Sequence, residues 1–225
     1  MPSTTRYIIS ILIFGLAVTA KGQEVRPKKN FTPTGIRVGT DLIDLGKSFG
    51  KTFHGFELNG DIDFANYYLA VDIGSWAKDV TLDNGTYHNS GGYFRAGIDV
   101  NFLGKDPDKN MFFFGFRVGH AQFSETLDYT TVASPFPPLE TYVTNSAVRG
   151  SWAELTTGLR VRVWQGLWMG YTARMKFAPG TKGYSPGFVP YDMPGYGIIS
   201  QSPWWGFNYQ VFWRFAWKKD KPLKK

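Results

Sequence analysis

Eight stretches of this chain alternate apolar and polar residues one by one. The clearest is 204-WWGFNYQVFWRFAWKK-219. Trp205, Phe207, Tyr209, Val211, Trp213, Phe215 and Trp217 share one face, while Gly206, Asn208, Gln210, Phe212, Arg214, Ala216 and Lys218 share the other. Alternation of period two describes a strand with two unlike faces. The same rhythm runs through 35–42, 55–64, 67–76, 93–102, 112–121, 152–163 and 167–177. These segments hold about 8–13 residues, close to the ~9–11 that a tilted strand needs to cross a membrane and above the ~5–6 of a globular strand.

The connections alternate as well. Those after the second, fourth and sixth segments are short: 65-AN-66, 103-LGKDPDKN-110 and 164-WQG-166. The others are longer, such as 126-TLDYTTVASPFPPLETYVTNSAVRG-150 and 178-APGTKGYSPGFVPYDMPGYGIIS-200. An even strand number with short turns on one side and long loops on the other is the pattern of an outer-membrane barrel. The chemistry of the faces supports it. The apolar faces carry almost no charge, while the polar faces interleave long charged side chains with Gly39, Gly74, Gly97, Gly115, Gly119, Gly158, Gly170 and Gly206. Small beside large suits the narrow interior of an eight-stranded barrel. A secreted sandwich or lipocalin-like barrel, the competing all-β reading, gives its outward polar face no reason to be glycine-rich. The expected fold is therefore all-β: an eight-stranded antiparallel up-and-down transmembrane β-barrel with long extracellular loops and short periplasmic turns.

The ends of the chain fit export. Arg6 precedes the apolar run 7-YIISILIFGLAVTA-20, and Ala20 and Gly22 form a small-x-small site before Gln23. This describes a secretory signal peptide over 1–22, too short to read as a spanning helix. A periplasmic segment over 23–34, a barrel over 35–217 and a basic periplasmic tail over 218–225 complete the expected organisation. The chain has no cysteine, so disulfides and thiolate metal sites are excluded. The net charge of +7 is partly carried by the two ends. Export makes nucleic acid an unsuitable partner, which leaves the lipid and lipopolysaccharide of the bacterial outer membrane and other proteins within it.

On the expected inward register lie the acids Asp41, Glu57, Asp61, Asp63, Asp72, Asp99 and Glu154 and the bases Arg37, Arg95, Arg117, Arg160, Arg162, Arg174, Lys176 and Arg214. Eight strands leave room for side chains and little else. Charges packed so tightly should pair, because an unpaired buried charge is costly. The expected result is a plug of ion pairs, with an ion path or proton relay as the competing reading. On the outward register, Trp205, Tyr209, Trp213 and Trp217 are expected as membrane-interface aromatics, with Trp205 and Trp217 near opposite girdles.

Catalysis is not expected. His54 and His88 fall in or next to outer connections. His120 shares the outward register with Ser124, next to Glu125, but residues four apart on a strand are about 13 Å apart, so a Ser–His pair would need a bulge or turn. No phosphate loop, zinc spacing or calcium loop occurs, so no cofactor or metal is expected. The stretch 186-PGFVPYDMPGYG-197 is rich in the aromatic residues common at interfaces and is an expected docking loop.

The stretches 35-GIRVGTDL-42, 55-GFELNGDID-63, 68-YLAVDIG-74, 93-YFRAGIDVNF-102, 115-GFRVGHAQFSETL-127, 152-WAELTTGLRV-161 and 206-GFNYQVFWRF-215 carry a resemblance. In them the chain resembles an uncharacterised family of small outer-membrane proteins of Bacteroidota-type bacteria, known as a domain of unknown function. The resemblance implies an eight-stranded barrel, a closing strand read by the assembly machinery, and no transferable catalytic residue. It also suggests an accessory subunit of a larger envelope machine, such as barrel assembly or secretion. The expected function is accordingly non-catalytic, as a structural or accessory subunit of an outer-membrane complex. The alternatives are a small channel or uptake barrel for apolar solutes and a lipid A-modifying enzyme.

Overall fold

The computed structural model describes residues 31–132 and 135–217; the expected signal peptide and the basic tail over 218–225 lie outside them. Eight antiparallel strands form a closed barrel: β1 (Gly35–Asp41), β2 (Phe53–Phe64), β3 (Tyr67–Leu82), β4 (Gly85–Asn101), β5 (Met111–Thr131), β6 (Leu139–Trp164), β7 (Leu167–Lys182) and β10 (Trp204–Ala216). Each strand pairs with its neighbours in sequence, and β1 closes on β10 from Gly35↔Ala216 to Asp41↔Gln210. A short helix α1 (Leu42–Lys47) follows β1, and the two-residue strands β8 (Asp192–Met193) and β9 (Gly197–Ile198) pair within the connection from β7 to β10.

The strands are longer than the alternation alone suggests. The stretch 77–92 is a continuous β3–β4 hairpin rather than a long loop, and much of 126–150 extends β5 and β6. Thr, Tyr and Val recur through 126–150, and Val80, Thr81, Thr86 and Tyr87 flank the turn of the β3–β4 hairpin, where their β-propensity favours sheet. Between β5 and β6 the described chain leaves the sheet around Pro135, Pro137 and Pro138, which cannot donate to a ladder. At the start of the barrel the reverse holds. Leu42 leaves β1 because the Asp41 carboxylate accepts from Ile43 N at 3.0 Å and caps α1.

Through the middle of each strand, apolar residues face outward and charged ones inward. Leu58, Ile73, Ile98, Val118, Leu155, Phe207 and Trp213 are about half exposed, while Arg37, Arg95, Arg117, Arg160 and Arg174 are buried. Glycines make room for this interior. A Cβ at Gly119 would collide with the Trp152 ring, and one at Gly115 with Asp99 and Thr156. We expect Gly119→Val to destabilise the barrel by about 1–3 kcal/mol through overpacking. Gly46→Ala, on α1 with open space around its Cβ, should leave stability unchanged or raise it by roughly 0.5 kcal/mol. Urea titration of tryptophan fluorescence and of the heat-shifted gel band measures both.

Candidate functional site

The lumen is filled by one connected network of ion pairs. Asp72 on β3 is its hub, meeting Arg117 on β5, Arg174 on β7 at 3.1 Å and Arg95 on β4 at 3.3 Å. Above it, Glu57 pairs with Arg95 and accepts from the Tyr93 hydroxyl at 2.6 Å. Glu154 accepts from Arg174 at 3.0 Å and from Trp152 Nε1 at 2.7 Å. Below it, Arg117 donates to Asp99 at 2.7 Å, and Asp61 pairs with Arg37 at 2.8 Å and with Arg160. Five arginines thus meet five carboxylates, all with side chains no more than 2% exposed. Asn59 stitches the acids together, donating to Glu57 at 2.7 Å and Asp72 at 2.8 Å.

The remaining inward charges have other neighbours. Near the end where β1 begins, Arg214 donates to Asp63 at 3.1 Å and Arg162 lies 3.6 Å from Asp108. An aromatic layer closes that end: Arg160 sits between the Phe113 and Phe212 rings, and Arg162 lies over the buried Trp168. Asp41 joins the network differently from an ordinary ion pair. Besides capping α1 it accepts from Tyr209 N at 3.1 Å and from Asn208 at 2.6 Å, and Asn208 in turn accepts from Arg174 Nε at 2.6 Å. The sequence placed these charges on one register. It did not single out Tyr93, Trp152, Asn59 and Asn208, whose only signal is that they share that register.

The opposite mouth is closed by the connection from β7 to β10. Met193 and Tyr196 are fully buried against Tyr93, Ala121, Phe123, Val148 and Trp152. Lys176 Nζ donates to Gly195 O at 2.7 Å and Tyr196 O at 3.0 Å, and Asp192 accepts from Lys78 at 2.6 Å. Burial pushes the Tyr196 hydroxyl above its ordinary pKa, so it remains a donor, here to Gln201 O at 2.9 Å. The expected docking loop 186–197 is thus largely a cap. Tyr196 and Met193 fill the barrel mouth and Phe188 is half-buried, while Pro186, Gly187, Val189 and Tyr191 remain exposed. Tyr87, Asn145 and Glu125, which accepts from both at 2.8 Å, anchor the cap's flank.

The wall is notched beside this cap. Pairing of β10 with β1 stops at Gln210, whereas its pairing with β7 continues to Trp204. A cleft of about 1090 Å³ crosses the uncovered stretch of β10, from Trp205 and Phe207 outside to Trp76, Tyr93 and Lys176 inside.

The histidines lie outside the lumen. His88 Nδ1 is 2.6 Å from Asp79, and His54 is exposed on β2. His120 does not meet Ser124, which instead faces Ser90 at 3.4 Å. Its Nδ1 is 2.9 Å from the Oγ of Ser151, its cross-strand partner on β6. Glu125 points inward, so among the described residues no carboxylate hydrogen-bonds His120. Among the described residues no cluster of His, Asp and Glu could hold a metal ion. Trp205, Tyr209, Trp213 and Trp217 all project outward, between 42% and 61% exposed.

The sequence profile of a domain of unknown function, DUF6048, matches residues 4–219. The chain belongs to the DUF6048 family. No functionally curated protein matches it. Among solved structures it is similar to Acinetobacter baumannii CarO, at 12% identity and a TM-score of 0.38, over 84% of this chain and all of that one. No described helix is long and apolar enough to cross a membrane, which says nothing of strands.

Two outcomes test the site. Arg117→Met takes from the buried Asp99 its closest cation and from Asp72 one of its three, leaving Asp99 with Arg160 at 3.6 Å; it should cost about 3–5 kcal/mol, of which adding Asp99→Asn should restore roughly half. Met193→Ala with Tyr196→Ala should free the cap, seen as protease cleavage within 183–203 under conditions that leave the parent chain intact.

Proposed function

We propose that this protein is an integral outer-membrane barrel, closed along its axis and non-catalytic, that works through its surfaces as a structural or accessory subunit of a membrane complex. The observation that carries the reading is its inverted polarity. Charged side chains fill the interior, while a band of Leu, Ile, Val, Phe, Tyr and Trp covers the outside. From Trp205 to Phe215 the outward residues of β10 span about 34 Å along the strand and about 24 Å along the axis at ~45° tilt, matching the ~25 Å apolar band of such barrels. No outward position of that band is Asp, Glu, Lys or Arg. Outside the uncovered stretch of β10, the closed ring also pairs its backbone groups within itself, the condition for sheets in hydrocarbon.

The ion-pair network and the cap favour a plugged lumen over a channel. The contact surface for a partner is the far tip of the β5–β6 hairpin, where Val132, Phe136, Leu139 and Tyr142 are 65–73% exposed, well beyond the apolar band. Large apolar side chains grouped on a projecting hairpin are the usual mark of a protein interface. The cleft over the β10 edge favours a second reading, uptake of an apolar solute through the wall, since it joins the apolar exterior to the capped mouth.

The purified chain in planar bilayers should show no steady conductance; a stable open pore would refute the plugged lumen. Affinity isolation in mild detergent should recover partner proteins, and Phe136→Asp with Leu139→Asp should release them. A barrel that emerges alone from several detergents sinks the subunit reading.

A further inference from the structure

The outer face of the barrel carries a polar site that the lumen does not require. It lies where β5, β6 and β7 rise above the apolar band. Two β-bulges bracket it. Between Asn145 and Val148, β6 takes one residue more than β5, and between Phe177 and Gly180, β7 takes one more than β6. Ala178, in the second bulge, adopts a positive φ of 53°. Bulges re-aim side chains and gather near functional sites. Here they leave a groove of about 650 Å³ with Gly180 and Gly183 among its lining residues.

The groove's side chains call for an anion. Arg149 on β6 and Lys182 on β7 are direct cross-strand partners. Like charges placed opposite each other on a sheet repel. Among the described residues neither makes an ion pair or hydrogen bond, in contrast to the paired charges of the lumen. Their Cβ atoms are about 5 Å apart by sheet geometry, close enough for both to reach one phosphate. The His120–Ser151 pair adds polar groups on the same face, and both residues line the groove. Below it the wall turns apolar at once: the His120 ring packs on Phe94 at 5.7 Å between centroids, followed by Val118 and Ala153.

The geometry points to a headgroup site for an anionic lipid of the outer leaflet, a phosphorylated glycolipid. Its phosphate is held between Arg149 and Lys182, and its acyl chains run down the apolar wall. Charge complementarity and continuity with the band commit the groove to a lipid rather than to a protein partner. The inference rests on the membrane reading of the barrel and specifies where lipid is held.

The test uses the full chain in micelles, mixed with phosphorylated lipid A, phosphatase-treated lipid A or inorganic phosphate, with lipid retention read by native mass spectrometry. The parent chain should retain the phosphorylated form at least about tenfold better than the dephosphorylated form, as two interfacial cations warrant. Arg149→Gln/Lys182→Gln should lose that preference while still inserting into zwitterionic liposomes and keeping its heat-shifted gel mobility. A parent chain without the preference, or a double variant that keeps it, overturns the site while leaving the membrane reading intact. Equal competition by millimolar inorganic phosphate overturns the lipid assignment in favour of a free-anion site. A parent chain that fails to insert overturns both readings.

Discussion

Everything else in this barrel depends on charge neutralisation in a space that water barely enters. Moving an unpaired arginine or carboxylate into such a space costs several kcal/mol, and only close pairing with further hydrogen bonds offsets it. The network meets that demand by sharing. Asp72 serves three arginines, Arg95 serves three acids, and Asn59, Tyr93 and Trp152 add hydrogen bonds to the same carboxylates. Because its members come from strands on all sides of the ring, the network also fixes how those strands stand relative to one another. The inward glycines follow from it: a long inward side chain lies over the neighbouring strand where glycine leaves room, Tyr93 over Gly74 and Trp152 over Gly119.

The inside and outside of each strand were legible because alternation is local. Every charged residue assigned to the inward register, from Arg37 to Arg214, is buried there. Pairing was not legible, because it crosses the ring: Arg160 meets Asp61 and Arg174 meets Asp72, pairs roughly a hundred residues apart. Nor did composition reveal strand ends. The threonines and tyrosines above the band read equally well as loop, and only pairing with a neighbour makes them sheet. The bulges were invisible for the same reason, and with them the meeting of His120 and Ser151 and the placement of Arg149 beside Lys182, in stretches that read as loop. The cap misled because Gly, Pro and aromatic residues suit an exposed docking loop and a folded lid alike. Its burial is decided by Lys176 and Asn89, which lie on other strands and bind its backbone.

The two sides of the wall are thus organised by opposite rules. Inside, each charge finds its complement within the chain, and the result is stiffness. Outside, above the apolar band, charge and apolar surface are left open on β6, β7 and the β5–β6 tip.

The shortness of β1 bears on how such a ring comes to exist. Hairpins from β2 to β7 join neighbours in sequence, whereas β1 and β10 bring together the two ends of the barrel's chain and pay the largest loop-closure entropy. Yet the seam has few rungs, and polar groups complete their hydrogen bonding across it: Asp41 with Asn208 and Tyr209, Asp63 with Arg214. A sheet short of closure would leave both an open edge and under-satisfied charges. The seam therefore behaves as a latch, with no comfortable half-shut position. Closure satisfies edge and charges in a single event, and the short first strand with its few rungs is the part that turns a curved sheet into a barrel.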